Sequence, residues 1–346
     1  MKLDEFEAYK KAQTRFVLRN RITLVILAVL LLALCMWSGG GATRQELLLM
    51  ERVRTAQDLL YKWRLAGGSE FDPLDDPYKT GLIGLEWSEL STTVGSLEAK
   101  RTACDPRWAV IIRRWMKSLN VSEGDSVAIF TSSSFPGMAL NAIVALESLN
   151  VKPVLVVSLG SSVWGANDPL FPWPVIEKKL RSEGFIKSRA IFYTPGGNYE
   201  IGGGVSKDAQ DIFRNAATEA GVPLIVKMNL EDVVNWKMSL LKEFSVKALV
   251  SIGGSHANMG DDQAVLRLSP GLHRDGNGGD GVIGRALKAG YPVVHLLNIK
   301  GLSAEYGVPF DAAPGTQLYG RRVMIAALLA LAIFSTVLYK FNRWSL

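Results

Sequence analysis

Between Arg107 and Leu297 the chain alternates short apolar runs with helical segments, and that alternation restricts its fold more than any other feature. The periodicity predicts helices over Arg107–Leu119, Met138–Leu149, Pro174–Gly184, Lys207–Ala220, Leu230–Phe244 and Val282–Ala289. Strands are expected at Ser126–Thr131, Pro153–Ser158, Ala190–Tyr193, Pro223–Val226, Lys247–Ile252 and Pro292–Leu297. These runs are rich in Val, Ile and Leu and do not alternate with polar residues, as befits strands covered on both faces. Strands separated by helices of this length imply βαβ units. The expected class is therefore α/β, with a doubly wound, mostly parallel, Rossmann-like sheet.

Two apolar runs flank that region. Ile22–Trp37 is broken only by Thr23 and ends at Ser38-Gly39-Gly40-Gly41, while Val323–Tyr339 is broken only by Ser335 and Thr336. Each is near the short limit for a membrane span of roughly 17–25 residues, and Trp37, Tyr339 and Trp344 are placed as interfacial anchors. Leu32-Ala33-Leu34-Cys35 resembles a lipoprotein box, but Leu34 stands where a small residue is required, so an uncleaved anchor is expected. Six basic residues precede the first run, which predicts cytoplasmic termini and an extracytoplasmic middle. The expected organisation is a basic N-terminus (1–21), a first span (22–38), a stalk helix and linker (42–79), an α/β domain (80–320), a second span (323–339) and a short tail (340–346).

Charge and cysteine usage narrow the function. The net charge of +6 sits at the ends: 1–21 carry +3, and Arg321, Arg322, Lys340 and Arg343 add four more, leaving 22–320 at −1. A nucleic-acid footprint would lie on the folded domain, so a membrane partner is expected and a nucleic acid is not. Only Cys35 and Cys104 are present, which excludes a disulfide framework and cysteine-rich zinc sites. Widely separated His256, His273 and His295 give no zinc signature, and the 275–281 loop lacks the EF-hand pattern; no metal or cofactor is expected.

Ligands of open parallel sheets bind beyond the carboxyl ends of strands. Three polar clusters fall there. Ser132-Ser133-Ser134-Phe135-Pro136-Gly137 precedes a helix and either caps it or holds an anion; it is neither a Walker loop nor a nucleophile elbow. Ser158–Pro169 carries Trp164, Asn167 and Asp168, and reads either as a ligand loop or as an Asx turn with Trp164 as a lid. Gly253-Gly254-Ser255-His256-Ala257-Asn258 leads to Asp261 and Asp262, either of which can orient His256 as a base. His295 within a strand reads as core, and His273 as solvent-facing.

A hydroxyl-rich stretch, Gly81–Thr102, ends in Glu98-Ala99-Lys100-Arg101. Together with Ser134-Phe135-Pro136-Gly137, Asn141 and Trp164-Gly165-Ala166-Asn167-Asp168-Pro169, it resembles the poly-γ-glutamate system protein family over most of 80–320. The resemblance implies a bacterial membrane component found beside capsule or exopolymer synthesis and export machinery, with other synthase or export subunits and an anionic γ-glutamyl polymer as partners. It implies no reaction. Under the accessory reading, Ser132–Ser134, Glu98, Lys100, Arg101, Asn141, Trp164, Asn167, Asp168, Gly253, Gly254, Asn258 and Asp262 contact polymer or partner. The alternative is a hydrolase or transferase of γ-glutamyl bonds with a serine of 132–134 as nucleophile and His256 as base; a pure scaffold is the third reading.

Overall fold

The computed structural model describes residues 3–37, 42–262, 264–316 and 321–342. Ser38, the Gly39–Gly41 break, Arg343 and Trp344 lie outside the described residues. In chain order the elements begin α1 (Leu3–Trp37), α2 (Arg44–Ala66), β1 (Ser91–Thr93), α3 (Leu97–Ala103) and α4 (Arg107–Ser118). There follow β2 (Ser126–Ser132), α5 (Pro136–Glu147), β3 (Lys152–Ser158), β4 (Ser161–Ser162), α6 (Trp173–Ser182) and β5 (Phe192–Thr194). Next come α7 (Lys207–Ala220), α8 (Leu230–Glu243), β6 (Leu249–Ile252), α9 (His256–Met259) and β7 (Gly271–His273). The last are α10 (Val282–Lys288), β8 (Val293–Leu296), α11 (Ile299–Tyr306) and α12 (Arg321–Asn342).

The branched apolar runs pair as one sheet in the order β5-β3-β2-β6-β8-β7, parallel except for β7, which lies antiparallel to β8. β2 pairs with β3 from Ser126↔Lys152 to Ser132↔Ser158, and with β6 from Ala128↔Leu249 to Thr131↔Ile252. From β2 the chain moves outward to β3 and β5, then returns to β6 on the other side of β2. The loops after β2 and β6 therefore diverge, and this is the topological switch point where a crevice opens.

Ala128, Phe130, Val154 and Val156 share a core with Val233, Val234, Leu240 and Leu241 of α8 and with Val282, Ile283 and Ala286 of α10. α5 packs on β2, β3 and β6, and α2 and α4 pack on α5 in turn. This explains why α5 is apolar on every side: residues 136–146 are all buried. Burying each large aliphatic side chain contributes about 1.5–3 kcal/mol. The approach is close at Gly137, where a Cβ would lie 2.5 Å from Cys104 Sγ and 2.8 Å from Cys104 Cα.

Several sequence expectations change. Pro223–Val226 forms no strand, only a parallel bridge in which Tyr193 N–H donates to Pro223 O and Ile225 N–H to Tyr193 O. Pro223 has no N–H, and Val226 is left exposed. The expected stalk does not stand apart, because 42–316 form one unit. α2 begins afresh at Thr43, whose side chain accepts from Glu46 N–H while the Glu46 carboxylate accepts from Thr43 N–H. It buries Leu49, Met50, Val53, Ala56 and Leu60 against its neighbours. β1, β4, α3, α9, β7 and α11 appear in addition, and His273 lies in β7, half-buried, instead of in a solvent-facing loop. His295 is buried in β8 as expected, with its Nδ1 unpartnered and its pKa pulled down to about 4 by burial.

The terminal helices form a separate unit. α1 carries the basic N-terminal stretch and the first apolar run in one helix, and α12 carries the second run. Among the described residues no helix is long and apolar enough to cross a membrane.

Glu177 of α6 supplies a pH test of the fold. Burial pushes its carboxyl up to about 7 against hydrogen bonds from Ala190 N–H and Trp173 Nε1–H. A carboxyl with a raised folded pKa binds its proton more tightly in the native state, so stability falls as pH rises from about 4.5 toward 7 and then levels. The loss is on the order of 3 kcal/mol. Urea unfolding of Glu177→Gln should lack that decline and exceed wild type in stability at pH 8.

Candidate functional site

Beyond the carboxyl ends of β2, β3, β5 and β6 lies a cavity of about 410 Å³, lined by hydroxyls (Thr92, Thr93, Ser132, Ser134, Ser158, Ser162, Ser255) and glycines (Gly95, Gly160, Gly196, Gly197, Gly254). Among the described residues Lys100 of α3, 3% exposed, is the lysine or arginine on its wall. Lys100 Nζ donates to Ser134 O at 2.5 Å and Ser162 Oγ at 2.6 Å, and lies 3.7 Å from the centre of the Phe135 ring. Among the described residues no carboxylate pairs with it. Burial pulls its pKa down to about 7, opposed by Cys104. Ser132 Oγ is buried on the same wall with no hydrogen-bond partner among the described residues.

The floor is a buried ion pair. Glu200 Oε1 accepts from Lys237 Nζ at 2.5 Å, Ser158 Oγ at 2.7 Å and Thr194 Oγ1 at 2.8 Å, while Ser255 Oγ donates to Oε2. Burial alone would raise the Glu200 carboxyl, but Lys237 and these hydroxyls hold it below its ordinary value. Asn258 Oδ1 accepts from Lys237 at 3.0 Å, and its Nδ2 donates to Ser251 Oγ and Phe130 O. Glu200 reaches this floor from a tight hairpin turn in which Tyr199 and Glu200 both have positive φ, 58° and 57°. Left-handed backbone costs a non-glycine residue roughly 1–2 kcal/mol. The ion pair on one side, and Tyr199 N–H donating to His256 Nδ1 at 3.0 Å on the other, hold it there.

The structure gathers Lys100, Ser132, Ser134, Gly254 and His256 at this cavity. It does not join a serine to His256. The imidazole Nδ1 is taken by Tyr199 N–H, Nε2 lies 2.7 Å from Asp261 Oδ1, and the ring stacks on Tyr199. Among the described residues Ser132 and Ser133 Oγ have no hydrogen-bond partner, and Ser134 Oγ accepts from Ser162 N–H. Asp261, not Asp262, orients His256; Asp262 accepts from Ala264 N–H.

Other candidates serve the scaffold. Asn141 Nδ2 donates to Ala103 O, Asp105 O and Gly137 O, binding the α3–α4 turn to α5. Asn167 accepts from Leu85 N–H and donates to Leu85 O and Ser91 Oγ. Asp168 pairs with buried Arg64 at 3.1 Å. Arg101 is spent on Asp75 O, Leu74 O and the Asp311 carboxylate, and Glu98 accepts from Ser96 Oγ on the surface. Trp164, with φ 55°, donates from Nε1 to Asp75 and faces a second, acidic cleft. Gly253, with φ 77°, closes the turn against Ser132. Among the described residues no group of three or more His, Cys, Asp or Glu is placed to hold a metal ion.

Glu200 and Lys237 did not emerge from the sequence, and Ser162 stood within the Ser158–Pro169 cluster without being singled out. Lys237 carried a signal, since it falls on the buried stripe of α8 with Val233, Val234, Leu240 and Leu241. Glu200 carried none. The cavity lies beyond the strand ends at the switch point, where open α/β sheets take their ligands. No family model and no curated protein matches the chain.

Lys237→Met should cost about 3–5 kcal/mol, because it strands the buried Glu200 charge. Adding Glu200→Gln should return most of that loss in chemical denaturation, whereas two independent sites would show additive losses.

Proposed function

We propose that the protein is a membrane-anchored accessory component of a poly-γ-glutamate synthesis and export system, whose extracytoplasmic domain takes a γ-glutamyl carboxylate in the switch-point cavity. The observation that carries this reading is Lys100: a buried cavity cation with hydroxyl and carbonyl partners and no carboxylate of its own. An incoming carboxylate supplies the missing counter-charge, and the unpartnered Ser132 hydroxyl can donate to it. A single cation in a nearly neutral domain suits one chain end or a short segment better than a long polyanion. The resemblance through Glu98-Ala99-Lys100-Arg101, Ser134-Phe135-Pro136-Gly137 and Trp164–Pro169 supplies the polymer and its synthase or export subunits as partners.

The anchoring part of the proposal rests on α1 and α12. Ile22, Val25, Ile26, Val29, Leu30 and Leu32 of α1 are exposed, as are Leu328, Leu329, Leu331 and Phe334 of α12. A surface that apolar needs lipid or a partner to cover it. Basic flanks put both termini on the cytoplasmic side.

Short γ-linked glutamate oligomers should bind the full-length protein, and Lys100→Met should weaken binding at least about tenfold, a loss of roughly 1.4 kcal/mol. The ammonium form binds the carboxylate, so affinity should fall as pH rises through about 7. Arg101→Ala should change affinity little. Calorimetry that finds no binding, or wild-type affinity in Lys100→Met, sinks the ligand assignment.

A further inference from the structure

The Lys100 amine touches a hydroxyl as well as a cavity. Ser162 ends β4 in the loop after β3, 2.6 Å from Lys100 Nζ across 62 residues of sequence, and both side chains line the same wall. Ser134 holds the pair from both sides: its carbonyl accepts from Lys100 and its hydroxyl accepts from Ser162 N–H at 2.9 Å. We propose that Ser162 and Lys100 are the nucleophile and general base of an acyl-transfer site that acts on an amide or ester of a small carboxylic acid.

Three features carry the proposal. The contact is at hydrogen-bond length, the requirement for proton transfer between nucleophile and base. The base has no carboxylate to fix it as an ammonium ion, so its neutral form is within reach at physiological pH; burial acts in the same direction. The approach is open: a Cβ at Gly95 would stand 3.2 Å from Ser162 Oγ and 3.4 Å from Lys100 Cε, so the glycine leaves that flank of the pair free of a side chain. The charged groups around Lys100 are otherwise engaged. On its own helix Glu98 accepts from Ser96 and Arg101 pairs with Asp311, and the Cys104 thiol is held neutral by burial. Across the cavity Glu200 is paired with Lys237, and His256 with Asp261.

The chemistry closes with water as the only co-reactant. Ser162 Oγ attacks the carbonyl carbon as its proton passes to neutral Lys100. The tetrahedral adduct collapses, the leaving amine or alcohol takes that proton, and an ester to Ser162 remains. Water then attacks the ester with Lys100 again as base, releasing the acid and restoring the serine hydroxyl.

This pairing stands independently of polymer binding, and the two use opposite protonation states of Lys100. Full-length protein is treated with a fluorophosphonate, in which a serine–phosphorus bond replaces phosphorus–fluorine, and with 4-nitrophenyl acetate, and the modified residue is mapped by peptide mass spectrometry. The expected label is Ser162, with a rate that climbs through about pH 7. Ser162→Ala should lose the label while keeping the wild-type circular dichroism spectrum. Lys100→Met and Lys100→Arg should both slow labelling at least about a hundredfold, since a guanidinium cannot accept the proton. A label on another residue, no label on folded wild type, or wild-type labelling of Lys100→Met overturns the assignment.

Discussion

The shape of the cavity depends on the buried pair of Glu200 and Lys237. Removing two charges from water costs several kcal/mol for each ion, and attraction alone does not reliably offset it. Here the offset comes from saturation: Glu200 accepts from Lys237, Ser158, Thr194 and Ser255, and Lys237 is shared with Asn258. These partners come from β3, β5, α8, the loop after β6 and α9. One ion pair therefore ties the glycine-rich hairpin to both sides of the switch point and fixes where the cavity floor lies.

That arrangement also divides the labour of the cations. Lys237 is neutralised within the floor, so it offers nothing to a ligand. Arg101, next to Lys100 in sequence, faces the opposite way and is consumed by Asp75, Leu74 and Asp311. Among the described residues Lys100 has no carboxylate partner at the cavity and sits against a carbonyl, a hydroxyl and an aromatic face. A lysine so placed is poised between its two protonation states. A site with a carboxylate in the same position would have only an anchored ammonium.

The sheet was legible in the sequence because strands covered on both faces must be apolar throughout, as Val127–Phe130 and Val154–Val157 are. The short elements were not, since α9 and β7 have too few residues to display a period. Pro223–Val226 misled for the opposite reason: its residues suit a strand, but a proline and an exposed end leave only two backbone bonds to make. The polar loops were rightly placed at one sheet edge, yet their members could not be sorted. Asn141 and Asn167 look like ligand contacts in sequence and prove to be braces for neighbouring backbone. Lys100 and Ser162 meet only through tertiary packing across 62 residues, which no local pattern reports.

His256 shows why residue type is a weaker guide than hydrogen-bond supply. A histidine followed by Asp261 suggests a base and its orienter, and that pair does form. A base also needs its second nitrogen free to face a nucleophile. In this protein Nδ1 accepts from Tyr199 N–H and the ring stacks on the tyrosine, with centroids 5.0 Å apart. Nδ1 thus serves the turn as an acceptor and is not offered to a serine. His256 is thereby a brace for the residue beside Glu200, and through Glu200 for the cavity floor. In the proposed acyl-transfer site the proton-accepting role next to a serine falls to Lys100, which among the described residues has no carboxylate to neutralise.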